Sequence, residues 1–154
     1  MTDAHRISIQ YRNGQAALLC AFVVLFFLDH SPPFAAIQSA AFGRTLCMLG
    51  LLLMLAAFVS LRAVIQVAPE PKAGGHLVTG GPYRWLRHPI YTGMVLLFVG
   101  LFLRKPTAAV GIASAVIVTF FFVKAQFEEQ LLQERYPDYA QYRARSWGII
   151  PGVR

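Results

Sequence analysis

The chain has 154 residues, of which 56% are hydrophobic and only 14% are charged, and its formal net charge is +7. An average soluble domain has about 25% charged residues, so this composition argues against a soluble enzyme built on one small core. The basic residues are scattered among apolar segments, which argues against a nucleic-acid-binding protein. We therefore expect a single integral membrane domain over residues 1–154 that binds no nucleic acid.

Four apolar segments predict an all-α membrane fold with about four transmembrane helices. A spanning helix needs about 20 mostly apolar residues, with about 17 as the lower limit. The second and fourth segments reach this length, whereas the first and third need their flanks, and a re-entrant short segment is the alternative. In chain order the segments are Ala16–Leu28, Thr45–Leu61, Ile90–Leu103 and Thr107–Val123.

The first two segments are bounded by residues that break or anchor helices. The sequence DHSPPF follows Leu28, and its two prolines cannot continue a helix. A cleaved signal peptide is an alternative for the first segment, but no small-x-small cleavage site follows it. We expect the second helix to begin at Arg44, which can reach the interface, and a loop rich in Gly and Pro to follow it.

The last two segments are separated only by the sequence RKP, which predicts a tight antiparallel hairpin. Pro106 fits the first helical position of the fourth helix. Beyond Val123, apolar residues recur at helical spacing among charged ones. We therefore expect the fourth helix to continue into the cytoplasm as an amphipathic C-terminal extension and to end at Pro137.

The distribution of basic residues predicts the orientation in the membrane. With four crossings, the N-terminus, the loop Arg62–His88 and the C-terminal tail lie on one side and carry eleven of the 14 Lys and Arg residues. The opposite side carries only Arg44, Arg104 and Lys105. The positive-inside rule then puts both termini in the cytoplasm, in an inner or plasma membrane.

A polar cluster lies at the start of the third helix, in the sequence GGPYRWLRHPIYTG (Gly80–Gly93). His88 precedes a proline and should lie just ahead of the helix, with Pro89 at the first helical position. The free N–H groups of this helix start, with Tyr83 and Tyr91 around them, are suited to receiving a carboxylate or another anionic group. The alternative is a belt of interfacial Trp, Tyr and Arg residues.

A second polar cluster is the pair Glu128–Glu129, beyond the lipid exit of the fourth helix. Because the last two helices are predicted to form a hairpin, these carboxylates should come close to His88 and Tyr91. The alternative is a solvated helix face, with Lys124 among the partners of the carboxylates. Two polar clusters that meet at one end of a hairpin favour a functional site.

The sequence lacks the motifs of several other kinds of functional site. The chain has no Walker A loop, no GxGxxG within a βαβ unit, no HExxH and no nucleophile elbow. Cys20 and Cys47 have no pair spacing and no accompanying histidine cluster, so we predict neither a disulfide nor a metal site. No ionisable residue lies in the middle of an apolar segment, which argues against a transporter or channel.

The sequence GGHLVTGGPYRWLRHPIYTG, followed by EEQLLQERYPDYAQYRARSWGIIPG, resembles the isoprenylcysteine carboxyl methyltransferase family, whose relatives include the phospholipid N-methyltransferases. The resemblance covers roughly residues 74–154, which would be the cofactor-binding half. It implies a membrane enzyme that uses S-adenosyl-L-methionine without a Rossmann domain.

The resemblance also implies the residues of the site. Lys124 and Arg87 would contact the substrate, although arginine is commoner than lysine at the position of Lys124, and lysine is no equivalent for bidentate carboxylate binding. A further departure is Tyr136–Pro137, where the family often has an aromatic residue followed by glycine. The implied cofactor-binding residues are His76, Leu77, Val78, Tyr83, His88, Pro89, Ile90, Tyr91, Glu128 and Glu129.

The resulting functional prediction is methyl transfer to a lipid-like or isoprenoid-linked acceptor in the bilayer, with a carboxylate as the acceptor group. A C-terminal carboxylate has a pKa near 3.5, so it is ionised at neutral pH and needs no general base. Three alternatives stay open at this point. They are N-methylation of a phospholipid or small amine, another enzyme of lipid-like substrates, and a non-catalytic membrane protein.

Overall fold

The regular secondary structure is helical in the residues that the computed structural model describes, 3–65 and 77–153, with side chains described at 10–62 and 77–153. Leu86 and Trp147 form an isolated parallel bridge, and no β-strand occurs in these ranges. The predicted all-α fold class is confirmed. The helices are α1 (Asp3–Leu28), α2 (Ala40–Ile65), α3 (Pro89–Arg104), α4 (Ala108–Arg135) and α5 (Tyr139–Arg145), with 3-10 turns at Ala35–Ile37 and Gly81–Arg84.

Three of the described helices are long and apolar enough to cross a membrane. They provide the segments Gln10–Leu28, Ala40–Arg62 and Ala108–Arg135. Helix α3 has 16 residues, so it is about 24 Å long at about 1.5 Å per residue, against a hydrocarbon core of about 30 Å. The fourth crossing therefore stays a prediction.

Helices α2 and α3 are in backbone contact through two glycine pairs. A Cβ atom added to Gly50 would lie 2.5 Å from the carbonyl oxygen of Gly93, and one added to Gly43 would lie 2.6 Å from that of Gly100. Small residues allow such close approach, which provides van der Waals contact where lipid gives no hydrophobic driving force. The glycine pairs thus fix the position of α3, whose first residues contribute to the candidate site.

Helices α1, α3 and α4 pack around one buried core. The rings of Tyr91 and Phe121 are stacked with centroids 5.1 Å apart, and Phe22 of α1 meets Phe98 of α3 edge-on at 4.7 Å. These residues belong to the buried core. The start of α3 consequently lies beside the C-terminal half of α4, as the hairpin prediction requires.

The predicted start of the second helix is wrong. Helix α2 begins at Ala40, one turn before Arg44. The backbone N–H of Gly43 donates to the carbonyl of Ser39 at 2.8 Å, while the N–H of Ser39 donates to the carbonyl of Leu103 at 2.9 Å. The contact of Ser39 with the end of α3 therefore determines where α2 begins, and the position of Arg44 does not.

The predicted role of Pro106 is also wrong. Helix α4 begins at Ala108, and Thr107 is its N-cap, with a side-chain oxygen that accepts from the N–H of Val110 at 3.2 Å. Threonine is a favoured N-cap residue, so the cap and not the proline sets the boundary. Pro106 instead accepts a hydrogen bond from the N–H of Phe34 at 2.8 Å.

The C-terminal end of α4 follows its prediction in part. The helix is continuous beyond Val123 to Arg135 and stops just before Pro137. The seven-residue helix α5 that follows was not predicted. The cytoplasmic location of this region stays a prediction.

Candidate active site

A cavity of about 340 Å³ lies at the junction of α3, α4 and α5, and we call it the main cavity. Its walls come from three parts of the chain that are distant in sequence, residue 61, residues 77–91 and residues 128–142. Small-molecule sites commonly occupy about 300–1,000 Å³, so the volume suits a ligand of moderate size. The lining residues are Leu61, Leu77, Val78, Tyr83, Arg87, His88, Ile90, Tyr91, Glu128, Leu132, Tyr136, Tyr139 and Tyr142.

The start of α3 positions the first polar residues of the cavity wall. His88 is the N-cap residue with φ −125° and ψ 59°, and Pro89 is the first helical residue, as predicted. The N–H of Thr92 donates to the carbonyl of His88 at 2.9 Å, which closes the first turn. Tyr91 follows within the same turn, and its ring stacks on that of His88 with centroids 5.4 Å apart and planes 7° apart.

Glu128 of α4 faces the main cavity. Its Oε1 accepts a hydrogen bond of 2.6 Å from the hydroxyl of Tyr91, and its Oε2 lies 3.9 Å from Nδ1 of His88. The side chain is 37% exposed, so one edge of the carboxylate remains free for a ligand. The hairpin thus joins the two polar clusters of the sequence, and the prediction that they meet is confirmed.

Glu129 points away from the main cavity and belongs to a buried ion cluster. Its Oε1 lies 2.8 Å from Nε of Arg87 and 3.2 Å from Nε2 of His88, and both nitrogens donate to it. Arg143 lies farther away, with Nε 3.5 Å from Oε2. The side chains of Arg87 and Glu129 are only 4% and 14% exposed. Glu129 therefore holds Arg87 and His88, two residues of the cavity wall, and does not itself face the cavity.

The C-terminal tail holds this wall in place through backbone hydrogen bonds. The guanidinium of Arg87 donates from Nη1 to the carbonyl of Ser146 at 2.7 Å. The backbone N–H of Arg87 donates to the carbonyl of Trp147 at 2.8 Å, and Thr92 donates from Oγ1 to the carbonyl of Ile149 at 2.6 Å. The tail and the start of α3 therefore form one hydrogen-bonded unit.

Three tyrosines that follow α4 complete the cavity and were not predicted. Tyr136, Tyr139 and Tyr142 recur every third residue, and this spacing is the sequence signal that could have identified them. The hydroxyl of Tyr142 donates to the carbonyl of Tyr83 at 2.7 Å. Burial raises the pKa of Tyr139 and of Tyr142 to about 12, and burial together with nearby Glu128 raises that of Tyr83. These hydroxyls are thus neutral at physiological pH.

Lys124 lies beside the main cavity and not in its wall. Its Nζ donates to Oε1 of Gln15 on α1 at 2.6 Å and lies 3.8 Å from Oε1 of Glu128. It also lies 5.4 Å from the ring centroid of Tyr91. Lys124 therefore links the cavity residues to α1.

Most of the predicted site residues come together, with four exceptions. Pro89 is fully buried behind the cavity wall. Glu129 lies in the ion cluster, and Lys124 lies beside the main cavity. His76 lies outside the described residues. Leu77, Val78, Tyr83, Arg87, His88, Ile90, Tyr91 and Glu128 all line the main cavity.

Two features bear on other kinds of site. In the described part of the chain, no group of three or more His, Cys, Asp or Glu residues could hold a metal ion. The interfacial residue Trp85 is 58% exposed and Arg84 is exposed as well, which agrees with the belt interpretation for these two side chains. The interfacial belt stays a prediction for these two residues, whereas His88 and Tyr91 belong to the cavity.

Comparison with known proteins identifies the family. The sequence model of the phospholipid methyltransferase family matches residues 39–139, about two thirds of the chain. The chain belongs to the phospholipid methyltransferase family. The matched region includes α2, α3, α4 and most of the main cavity wall.

Curated relatives agree with this phospholipid methyltransferase assignment and with the resemblance seen in the sequence. The chain is 32% identical over 108 residues to protein-S-isoprenylcysteine O-methyltransferase B of Arabidopsis thaliana. It is 33% identical over 110 residues to protein-S-isoprenylcysteine O-methyltransferase A of the same plant. Each match covers 65% of this chain and 54% of the relative, so the chain spans about half the length of these relatives. No solved structure gives a significant match.

Proposed function

We propose that this protein transfers a methyl group from S-adenosyl-L-methionine to the carboxylate of a lipid-like or isoprenoid-linked acceptor. The observation that carries the proposal is the main cavity, where Glu128, Tyr91 and His88 lie together at one end of the α3–α4 pair. The relatives with O-methyltransferase names support the acceptor group.

The residues of the main cavity fit the cofactor. The partly exposed carboxylate of Glu128 can accept a hydrogen bond from the cationic amine of the cofactor's methionine portion. The rings of Tyr83, Tyr91 and Tyr136 surround the space, and aromatic faces attract cations such as a sulfonium. The bound cofactor would supply an electrophilic methyl group, and the protein would supply orientation.

The mechanism requires little acid–base chemistry from the chain. An acceptor carboxylate is already ionised at neutral pH, so the protein has to hold the two reactants within about 3–3.5 Å and exclude water. Lys124 lies beside the cavity on the α1 side, with Nζ 3.8 Å from Oε1 of Glu128. We propose that Lys124 orients the acceptor carboxylate, and that Arg87 acts through the wall that it stabilises.

N-methylation of a phospholipid or another amine is the second candidate, and the name of the matching family favours it. An amine acceptor arrives protonated and must lose a proton before transfer. His88 lies at the cavity, but its Nε2 donates to Glu129, which leaves Nδ1 as the nitrogen that could take this proton. The two candidates form different products, a methyl ester or an N-methyl group, and a chemical test of the product distinguishes them.

The membrane arrangement belongs to the same proposal. We propose that α3, with its flanks, provides a fourth crossing and that both termini and the main cavity face the cytoplasm. The excess of Lys and Arg on that side supports this orientation. Labelling of single cysteines introduced at Gln10, Ser31 and Arg145 with an impermeant reagent in sealed vesicles tests it. Accessibility of Ser31Cys from the cytoplasmic side would contradict the arrangement.

The decisive experiment measures cofactor binding to the purified protein by calorimetry, in detergent and in lipid. Glu128→Gln should weaken S-adenosylmethionine binding by about 10-fold to 100-fold, because a charge-assisted hydrogen bond is lost. Glu134→Gln is the matched control, since Glu134 is an exposed glutamate of the same helix that does not line the cavity. Absence of binding by the folded wild type would overturn the proposed function, and would leave another enzyme of lipid-like substrates or a non-catalytic membrane protein.

The acceptor is then tested with cofactor that carries a radiolabelled methyl group. S-prenylated N-acetylcysteine and phosphatidylethanolamine represent the two acceptor classes. A methyl ester is released by base as methanol, whereas an N-methyl group is stable. Base-labile label on the prenylated carboxylate supports the proposal, and base-stable label on the amine would support the second candidate instead.

A further inference from the structure

A second cavity, of about 190 Å³, lies between α4 and the C-terminal tail. Arg87 and His88 line both cavities, whereas Glu128 lines only the main cavity and Glu129 only the second. Sites for whole small molecules commonly occupy about 300–1,000 Å³, so this volume suits one group of a larger ligand. The lining residues are Arg87, His88, Phe122, Ala125, Gln126, Glu129, Arg143, Gly148, Ile149, Ile150 and Val153.

The second cavity has an excess of positive charge. Its described lining includes the guanidinium groups of Arg87 and Arg143, and Glu129 provides the one carboxylate. Arg87 is already bound, because it donates to Glu129 at 2.8 Å and to the carbonyl of Ser146 at 2.7 Å. Arg143 is held loosely, since its Nε lies 3.5 Å from Oε2 of Glu129 and its side chain is 50% exposed. One positive charge therefore remains accessible, on a side chain suited to bind phosphate oxygens.

The opposite part of the lining is apolar and exposed. Ile150 and Val153 are 46% and 57% exposed, and Phe122 belongs to the apolar part of a helix long enough to cross a membrane. Gln126 and Glu129 follow Phe122 one and two turns later on α4. The lining therefore changes from apolar to charged along this helix, as the bilayer changes from hydrocarbon to headgroups.

A tryptophan of the same tail supports this position relative to the bilayer. Trp147 directly precedes Gly148 of the cavity lining and is 38% exposed. Tryptophan is enriched where membrane proteins cross the interface between lipid and water. The second cavity thus lies at the depth at which an amphipathic ligand changes from chain to headgroup.

We propose that the second cavity binds an anionic phospholipid, with its phosphate on Arg143 and its acyl chains along Phe122, Ile150 and Val153. A free anion would use the cation and leave the apolar lining unexplained, whereas a purely apolar ligand would leave Arg143 unexplained. Basic pockets beside membrane helices commonly bind anionic headgroups. The site is distinct from the proposed acceptor position, because neither Glu128 nor Lys124 lines the second cavity.

Fluorescence quenching by lipids with brominated acyl chains tests the inference in vesicles of the full-length protein. The chain has two tryptophans, and Trp85→Phe leaves Trp147 as the fluorophore beside the second cavity. Brominated phosphatidylglycerol in phosphatidylcholine, and brominated phosphatidylcholine in phosphatidylglycerol, give the relative affinity of the two lipids near Trp147. Phosphatidylglycerol has no amine, so N-methylation cannot contribute to its binding.

Phosphatidylglycerol should bind near Trp147 about fivefold more tightly than phosphatidylcholine, which is roughly the contribution of one arginine to binding an anionic lipid. Arg143→Gln should remove this preference, and Arg143→Lys should retain most of it, because the positive charge persists. Arg145→Gln is the matched control, since Arg145 is an exposed arginine of the same helix that does not line the second cavity. This variant should keep the preference.

Three results would overturn the inference. They are equal affinity of the two lipids in the Trp85→Phe parent, an unchanged preference in Arg143→Gln, and an equal loss in Arg145→Gln, which would indicate general attraction to the basic tail. Unfolding temperatures in phosphatidylcholine vesicles verify that the variants are folded. The comparison of the two lipids in the parent decides the inference even if Arg143→Gln is unstable.

Inorganic phosphate distinguishes a lipid site from a site for a free anion. Added phosphate, compared with sodium chloride at the same ionic strength, should leave quenching by brominated phosphatidylglycerol unchanged. Displacement of the lipid by phosphate alone would assign the second cavity to a free anion and overturn the inference.

Discussion

Arg87 and Glu129, which are 42 residues apart in the chain, form a buried ion pair in which Nε of Arg87 lies 2.8 Å from Oε1 of Glu129. The pair joins the start of α3 to the end of α4, and the same guanidinium donates to the carbonyl of Ser146. One side chain thus connects three segments around the main cavity. The first prediction concerns this pair.

Arg87→Met should destabilise the fold by about 3–5 kcal/mol, because it leaves the charge of Glu129 buried without its closest cation. The measurement is equilibrium unfolding of the purified protein in detergent. Arg145→Met is the control, since Arg145 is exposed and donates to Gln141 of the same helix. Equal stability of the two variants would contradict a structural role for the pair.

Gly50→Ala should destabilise the contact between α2 and α3 by about 1–3 kcal/mol, the usual cost of overpacking. The added Cβ would lie 2.5 Å from the carbonyl oxygen of Gly93, and backbone atoms of a packed helix cannot move aside like a flexible side chain. Gly80→Ala serves as the control, because a Cβ there meets nothing within 4 Å. A wild-type unfolding temperature for Gly50→Ala would show that the two helices separate more easily than the glycine pairs indicate.

Stability should fall at acidic pH through Asp29, which lies in the turn after α1. Hydrogen bonds from Ser31 and Thr107 lower its pKa from 3.8 to about 2. Because the folded pKa is the lower one, the contribution is present above about pH 4 and is lost as the pH falls towards 2.

The measurement for Asp29 is the unfolding temperature between pH 6 and pH 2. Asp29→Asn should be less stable than the wild type near pH 6, and the difference should disappear towards pH 2. Asp138→Asn is compared in parallel, because Asp138 makes no side-chain cap hydrogen bond. A difference for Asp29→Asn that is constant over the whole range would contradict the prediction.

Lys124→Met should raise the KM for a carboxylate acceptor by about 10-fold, while Lys124→Arg should retain most of the affinity, since a cation persists. Steady-state methyl transfer with varied acceptor provides the measurement. Cofactor affinity, measured by calorimetry, should change much less than the acceptor KM, because Lys124 does not line the main cavity. A loss confined to cofactor binding would contradict an acceptor role for Lys124.

Much of the helical content could be predicted because its causes are local. Apolar runs of lipid-spanning length predicted the long helices, and the order His88–Pro89 predicted the start of α3, since a residue before proline avoids the helical region. The starts of α2 and α4 were missed because contacts of Ser39 and Thr107 determine them. The four glycines of the α2–α3 contact recur at a spacing of seven within each helix, a signal that was present and not used.

The division of roles between Glu128 and Glu129 shows where prediction from sequence stops. Consecutive residues of an α-helix point about 100° apart, so only one of two adjacent carboxylates can face the cavity. Which one does so depends on the rotation of α4 against α3, and that rotation follows from contacts such as Tyr91 with Phe121. Sequence reasoning named both glutamates as cofactor residues and could not separate them.

The sequence by itself determined the membrane class, the helical fold and the two polar clusters that meet at one end of the α3–α4 pair, because these depend on composition, apolar length and proline geometry. The tertiary structure alone decided that the C-terminal tail and α5 close the cavity. The side-chain hydrogen bonds involved join residues 56 to 59 positions apart. Such contacts form only when the whole chain has packed, and no local pattern encodes them.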